Sequence, residues 1–161
     1  MHLAQLNIGE LLYPADDPRM EGFTGRIETI NALADRSPGF VWRMVDGSEL
    51  DGALDLRMPG SKDMLLNMSV WDSLESLYHF VYKTAHAKLI RDRADWFVPL
   101  NQQIMVLWWI EEGHIPSPEE AAAKLEMLER MGPSPSAFSF DIPFDETGVP
   151  ITPELPKKDC A

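Results

Sequence analysis

The stretch Met64-Leu65-Leu66-Asn67-Met68-Ser69-Val70-Trp71-Asp72-Ser73-Leu74-Glu75 decides the fold of this chain. A largely apolar run passes without a spacer into a carboxylate, a serine and a second carboxylate, which is the chemistry of a helix start. Leu74, Leu77, Tyr78, Val81, Ala85 and Leu89 then hold helical spacing for about four turns. Asp72 is the expected N-cap, with Glu75 completing a capping box. A strand feeding straight into a helix fixes how one packs on the other.

Outward from this junction the same signals recur. Leu3 to Ile8 reads as a first strand stopped by Gly9, with Ala4, Leu6 and Ile8 on one face and Leu3, Gln5 and Asn7 on the other. Asp17-Pro18 starts a helix whose buried stripe is Phe23, Ile27, Ile30 and Ala34, and Ser37-Pro38-Gly39 ends it. Phe40 to Val45 is a second strand before the turn signal Asp46-Gly47, and Leu54 to Met58 reads as a further short strand. Ile104 to Ile110 is the last strand of the set. Ser117-Pro118-Glu119-Glu120 opens a helix with inner stripe Ala121, Leu125 and Leu128, ended by Gly132. Phe138, Phe140 and Phe144 anchor an extended arm, and residues 145–161 have the composition of a loose tail. Residues 1–144 are therefore expected to form one domain.

With 161 residues and 45% hydrophobic content the chain can bury a full core. No run approaches the roughly 18 apolar residues of a membrane span, and no basic, apolar leader opens the sequence. The cytoplasm is the expected location. A formal net charge of -12, from 26 acidic and 14 basic side chains, repels phosphate backbones and anionic lipid. Neither nucleic acid nor membrane is expected as a partner. The lone cysteine, Cys160, excludes an internal disulfide and a cysteine-rich metal site.

Strand, helix, strand, strand, helix, strand is the order of a split, ferredoxin-like α+β fold with a four-stranded antiparallel sheet, extended here by a C-terminal helix and arm. Such a sheet carries helices on one face. If Leu66, Met68 and Val70 face the helices, then Leu65, Asn67, Ser69 and Trp71 face away. Both sides of the last strand are apolar, with Trp108 on one and Trp109 on the other. A second covered face implies a partner, and a homodimer is expected.

Val70-Trp71-Asp72-Ser73-Leu74-Glu75-Ser76-Leu77, with Phe80 and His86 beyond, resembles the strand-to-helix signature of the antibiotic-biosynthesis-monooxygenase-like proteins. Ser37-Pro38-Gly39-Phe40 is similar to their junction into the second strand. Those proteins are dimeric α/β barrels, so the resemblance implies two sheets packed face to face. Within that superfamily the chain resembles a bacterial domain of unknown function, family 3291. The stretches that carry this are Leu3-Ala4-Gln5-Leu6-Asn7, Pro38-Gly39-Phe40-Val41-Trp42-Arg43, Asn67-Met68-Ser69-Val70-Trp71, Val106-Leu107-Trp108-Trp109 and Ala137-Phe138-Ser139-Phe140. The superfamily includes quinone-forming oxygenases, haem-degrading enzymes, lactone isomerases and members with no known reaction, and fold does not fix function.

The residues capable of chemistry are few. His79, Tyr82 and His86 fall on one side of the second long helix. His86 reads either as a general acid or base, or as a half-buried ring bonded to a backbone carbonyl. His79 and His86 lie roughly 10 Å apart along a helix, too far to share one metal ion, and no metal motif is present. Asn7 and Gln5 share a strand face, as do Asn67 and Ser69. These amides and hydroxyls either orient a carbonyl or enolate, or pair across the sheet. Arg43 would be the only cation among them and an anion anchor. Trp71, Trp108 and Tyr82 are candidates to hold a flat ligand, with core packing as the alternative.

No dinucleotide or phosphate loop, metal motif or nucleophile elbow occurs, so no cofactor is expected and an enzyme would be restricted to acid–base and electrostatic work. The leading expectation is a dimeric protein that binds an apolar small molecule and carries out a cofactor-independent oxidation or isomerisation. His86, Asn7 and Arg43 would serve as proton carrier, oxyanion donor and anion anchor. Haem binding or degradation is the alternative that the resemblance implies, on the strength of Asn7 and Lys83-Thr84-Ala85-His86, although the second helix lacks the tryptophan of that branch. A non-enzymatic binding or assembly module, using the phenylalanine arm, is the third.

Overall fold

The computed structural model describes residues 1–45 and 56–152. Asp46-Gly47, Leu54-Asp55 of the expected short strand and Cys160 thus lie outside the described residues. Four strands, β1 (His2–Glu10), β2 (Phe40–Arg43), β3 (Met64–Trp71) and β4 (Met105–Ile110), form an antiparallel sheet in the order β2-β3-β1-β4. This is the ferredoxin-like order, two strand–helix–strand halves interleaved so that β1 and β3 are central. Helices α1 (Glu21–Thr24) and α2 (Ile27–Asp35) link β1 to β2, α3 (Leu74–Lys83) and α4 (His86–Arg91) link β3 to β4, and α5 (Pro118–Met131) follows. Among the described residues no helix is long and apolar enough to cross a membrane.

The β3–α3 junction is as abrupt as the sequence indicates, but its cap is one residue later. The hydroxyl of Ser73, not the carboxylate of Asp72, accepts the bond from the Ser76 amide. Asp72 instead accepts from the Ser73 hydroxyl, and its own amide donates to the Gly39 carbonyl. Gly39 has φ +81, and a Cβ there would overlap Ser76 Oγ and the Asp72 carboxylate. Glycine is thus required twice, for conformation and for space.

Both helical stripes read as continuous are interrupted. The first becomes a 3-10 turn at Pro18–Met20, capped by Asp17, then the short α1, then α2. The second breaks at Thr84, which is extended and whose hydroxyl donates to the Phe80 carbonyl at 2.6 Å. A threonine that bonds back four residues gives the carbonyl an alternative partner to the next helical amide.

Alternation separates the two faces of the sheet as expected, yet their assignment is reversed. Leu3, Trp71 and Leu107 pack with Ala34 of α2 and with Leu77, Phe80 and Val81 of α3. Ala4, Leu6, Leu66, Met68, Val70, Val106 and Trp108 pack instead with Ala121, Leu125 and Leu128 of α5. Every residue of this second set is at most 1% exposed except Leu125 and Leu128, at 8% and 3%, within the single chain. Each large side chain buried this way contributes about 1.5–3 kcal/mol. The face expected to await a partner subunit, that of Asn67, Ser69 and Trp71, is covered within the chain by α2 and α3, and the opposite face by α5.

The arm is part of the core. Phe138 exchanges two backbone hydrogen bonds with Leu107 on the open edge of β4, and Phe138, Phe140 and Phe144 are all buried. Beyond it, Asp145 organises a turn by accepting from the amides of Thr147 and Val149. At the opposite end of β3, Arg57 forms an isolated bridge to Leu65, the described remnant of the expected short strand.

Candidate functional site

The register of β1 on β3 sets Gln5 opposite Ser69 and Asn7 opposite Asn67. On this face Gln5 Nε2 donates to Ser69 Oγ at 3.0 Å and to Asn67 Oδ1 at 3.1 Å. The indole Nε1 of Trp71 donates to the same Ser69 Oγ at 2.9 Å. The direction of this network follows from the indole, which can only donate. Ser69 has both lone pairs engaged, so its own O–H hydrogen remains for donation. Asn67 accepts through Oδ1, so its amide N–H groups remain. Asn7 makes no side-chain hydrogen bond with any described residue and offers another amide. The pairing across the sheet that competed with a ligand-binding reading is thus real, and it leaves a surface whose unused groups are mostly donors.

Above this floor lies a cavity of about 340 Å³ beneath α2, α3 and α4. That volume is within the range that small-molecule sites occupy. Gln5, Asn7, Asn67, Ser69, Trp71, Tyr82, His86 and Arg43 all line it. A second chamber of about 150 Å³ adjoins and shares Asn7, Asn67 and His86 with the first.

His86 opens α4, directly after the break at Thr84. Its Nδ1 lies 3.4 Å from the Val81 carbonyl, and its ring lies against Phe80 with centroids 4.9 Å apart. Donation from Nδ1 to that carbonyl leaves Nε2 as an acceptor. Burial pushes the imidazole below its ordinary pKa, against the opposing effect of the Val81 bond. The neutral ring is a base. The backbone bond that one sequence reading of His86 expected is present, and it leaves the second ring nitrogen without a hydrogen-bond partner among the described residues.

Tyr82 lies with Tyr78 and Phe140 in a ring cluster at the other end of the cavity. Burial pushes its phenol pKa up, and Asp141 adds to the effect. His79, expected on the same side, is exposed, and the break at Thr84 ends the helical phase that would have aligned it with His86.

Three site expectations change. Arg43 reaches the cavity because β2 carries an irregularity between Phe40 and Trp42, which puts Phe40 and Arg43 on the same side. Its guanidinium, however, holds the Asp35 carboxylate through two bonds, at 2.8 and 3.2 Å. An ion-paired guanidinium is a poor anion anchor. Trp108 lies on the opposite face of the sheet, with Nε1 donating to Glu120 of α5 at 2.9 Å, and takes no part in the cavity. Arg43 is also not the sole cation, since Arg93 lines both chambers. The signal for Arg93 was present in the spacing: His86, Leu89 and Arg93 continue helical offsets beyond the point where the apolar stripe ends.

Among the described residues no group of three His, Cys, Asp or Glu side chains is placed to hold a metal ion. What the arrangement can do is accept a proton at a neutral imidazole and stabilise negative charge on an oxygen through hydroxyl and amide donors.

The fold and this site define an α+β, ferredoxin-like protein with a cavity between its sheet and its helices. The chain belongs to the family Domain of unknown function (DUF3291), whose model matches residues 2–152. Similar solved structures include SnoaB, a cofactor-independent oxygenase from Streptomyces nogalater, at 12% identity and a TM-score of 0.43, covering 72% of this chain and 98% of that one. Another is a structure assigned as an antibiotic biosynthesis monooxygenase from Chloroflexus aurantiacus J-10-fl, at 16% identity and a TM-score of 0.41, covering 71% of this chain and 97% of that one. No curated protein matches the chain.

Proposed function

We propose that the protein binds an apolar or aromatic small molecule in this cavity and removes a weakly acidic proton from it, with His86 as general base. One observation carries the proposal: the unused donors of Asn67 and Ser69, held in place by Gln5, share a cavity with a neutral imidazole. A phenol, or a carbon acid beside a carbonyl, fits that pairing. Its proton passes to Nε2, and the electron pair left on the substrate is delocalised onto an oxygen held by Ser69 Oγ–H and an asparagine amide. Return of the proton to a different carbon is an isomerisation. Alternatively, with molecular oxygen as co-reactant, a CH₂ group becomes C=O and water leaves, which balances one O₂ against one substrate without a cofactor.

The haem alternative finds less support. The helices that supply His86 carry no tryptophan, and Trp71 comes from β3 with its indole N–H engaged by Ser69. An assembly role for the phenylalanine arm loses its premise, since that arm is buried against β4.

Native mass spectrometry of purified protein, followed by turnover assays of any co-purified compound under air and under argon, tests the reading. His86→Gln is expected to lower kcat by roughly 10²–10⁴-fold, the usual contribution of a positioned base, with KM little changed. Unchanged turnover in that variant removes His86 from the mechanism and with it this proposal.

A further inference from the structure

The smaller chamber contains a cation with no counter-ion among the described residues. Arg93 lies in the 3-10 turn after α4, half-buried, and lines both chambers. Its guanidinium donates to the Ile8 carbonyl at 3.0 Å and lies over the Phe97 ring at 4.4 Å. Neither partner carries charge, and no ion pair to Arg93 occurs among the described residues. The nearest acidic neighbour in sequence, Asp92, faces Arg26 at 3.9 Å instead. Burial alone depresses the Arg93 pKa, with no carboxylate acting in the other direction.

Asn31 of α2 lines the same two chambers, and its buried Nδ2 has no hydrogen-bond acceptor among the described residues. A buried donor without an acceptor costs about 1–3 kcal/mol, and a half-buried guanidinium without a counter-ion adds to that. Asn7 contributes a further unbonded amide at the boundary between the chambers. Gly9 holds the backbone close to this group, since a Cβ there would meet the Phe97 ring at 2.6 Å and the Arg93 guanidinium at 3.1 Å. The acidic side chain in the larger chamber, Asp141, is absent from the lining of the smaller one. In a chain of net charge -12, an unpaired cation inside a cavity needs a reason.

We infer that the smaller chamber is a carboxylate subsite, in which Arg93 and the Asn31 amide hold an anionic substituent of the ligand while the rest of the molecule lies over the Gln5–Ser69 floor. The inference rests on the cavity reading above and deepens it, because it names the ligand as an aromatic or polycyclic acid rather than a neutral hydrocarbon. His86 lines both chambers, so an anchored carboxylate sets the distance between that substituent and the carbon or oxygen presented to Nε2. Planar, bidentate recognition of a carboxylate is what a guanidinium does better than any other side chain.

Isothermal titration of the full chain with 2-naphthoate and with its neutral isostere 2-naphthamide tests this. The wild-type protein is expected to bind the acid roughly ten- to hundredfold more tightly, the range for hydrogen bonds to charged groups. Arg93→Gln should abolish that preference while leaving naphthamide affinity in place, and Arg93→Lys should restore part of it. Thermal unfolding of the free variants separates loss of fold from loss of binding. Equal affinity of the wild type for both probes overturns the carboxylate subsite and leaves the cavity reading intact. Binding of neither probe overturns both. A preference that survives in Arg93→Gln overturns the role of Arg93.

Discussion

Ser69→Ala isolates the one hydroxyl on which the cavity floor depends. Its oxygen accepts from Trp71 Nε1 at 2.9 Å and from Gln5 Nε2 at 3.0 Å. Removing it leaves the indole N–H of a fully buried tryptophan with no acceptor, since Trp71 is 0% exposed. Gln5 fares better, keeping Asn67 Oδ1 at 3.1 Å and facing the cavity with its other hydrogen. The main loss is therefore one desolvated donor at about 1–3 kcal/mol, with a smaller contribution from Gln5, for a total near 3 kcal/mol. For a chain of this size that corresponds to a fall in Tm of roughly 6–12 °C. Equilibrium urea unfolding followed by tryptophan fluorescence and circular dichroism measures it. The mechanism also makes a coupling prediction. In Trp71→Phe the indole donor is already gone, so adding Ser69→Ala should cost about 1–2 kcal/mol less than it does in the wild type. A loss below about 0.5 kcal/mol for Ser69→Ala, or strict additivity in the double-mutant cycle, would refute the network.

Two further outcomes follow from the geometry. His86 is held below its ordinary pKa by burial, so the unfolded chain binds the proton first as pH falls. Folding stability is therefore unaffected by this group above pH 6.5, the ordinary value, and is lost progressively as pH drops from there toward the folded pKa; His86→Gln should flatten that part of a stability–pH profile, and an imidazole resonance titrating above 6.5 in the folded protein contradicts the burial argument. Gly39→Ala and Gly60→Ala impose nearly the same backbone strain, with φ +81 and +79, but only Gly39 lacks room for a methyl group. Gly60→Ala should cost about 1 kcal/mol and Gly39→Ala at least twice that, and equal costs by urea unfolding mean that the contact with Asp72 and Ser76 relaxes freely.

Much of the frame was legible because its signals are local. The bounds of β3 and the Ser117 cap of α5 follow from periodicity and capping chemistry. Period-two alternation likewise divides Leu3, Gln5 and Asn7 from Ala4, Leu6 and Ile8. It does not say which set meets which helix, and here the answer depends on Leu125 and Leu128, more than a hundred residues from β1 in the chain. The Thr84 break was invisible for a related reason: Leu74 to Leu89 keeps its apolar spacing across it, and one hydroxyl bond ends the helix. Arg43 shows the limit for charge. Its strand position indicated the cavity, but the carboxylate that neutralises it comes from Asp35 on another element. Arg93 continues the helical offsets of His86 and Leu89, but Arg91-Asp92-Arg93-Ala94-Asp95 has the composition of a solvated turn, and tertiary packing decides which of those charges turns inward.

The parts of the site differ in what anchors them. Gln5, Asn67 and Ser69 sit on β1 and β3, paired along their lengths from Leu3–Trp71 to Glu10–Met64. His86 and Arg93 sit on a six-residue helix and the turn behind it. Substitutions on the strands would disturb pairing along β1 and β3, whereas residues 85–95 lie outside the sheet. Relatives sharing this scaffold would then differ most in that short connector, and comparing it among them would show which cavity-lining side chains change while the sheet beneath them stays fixed.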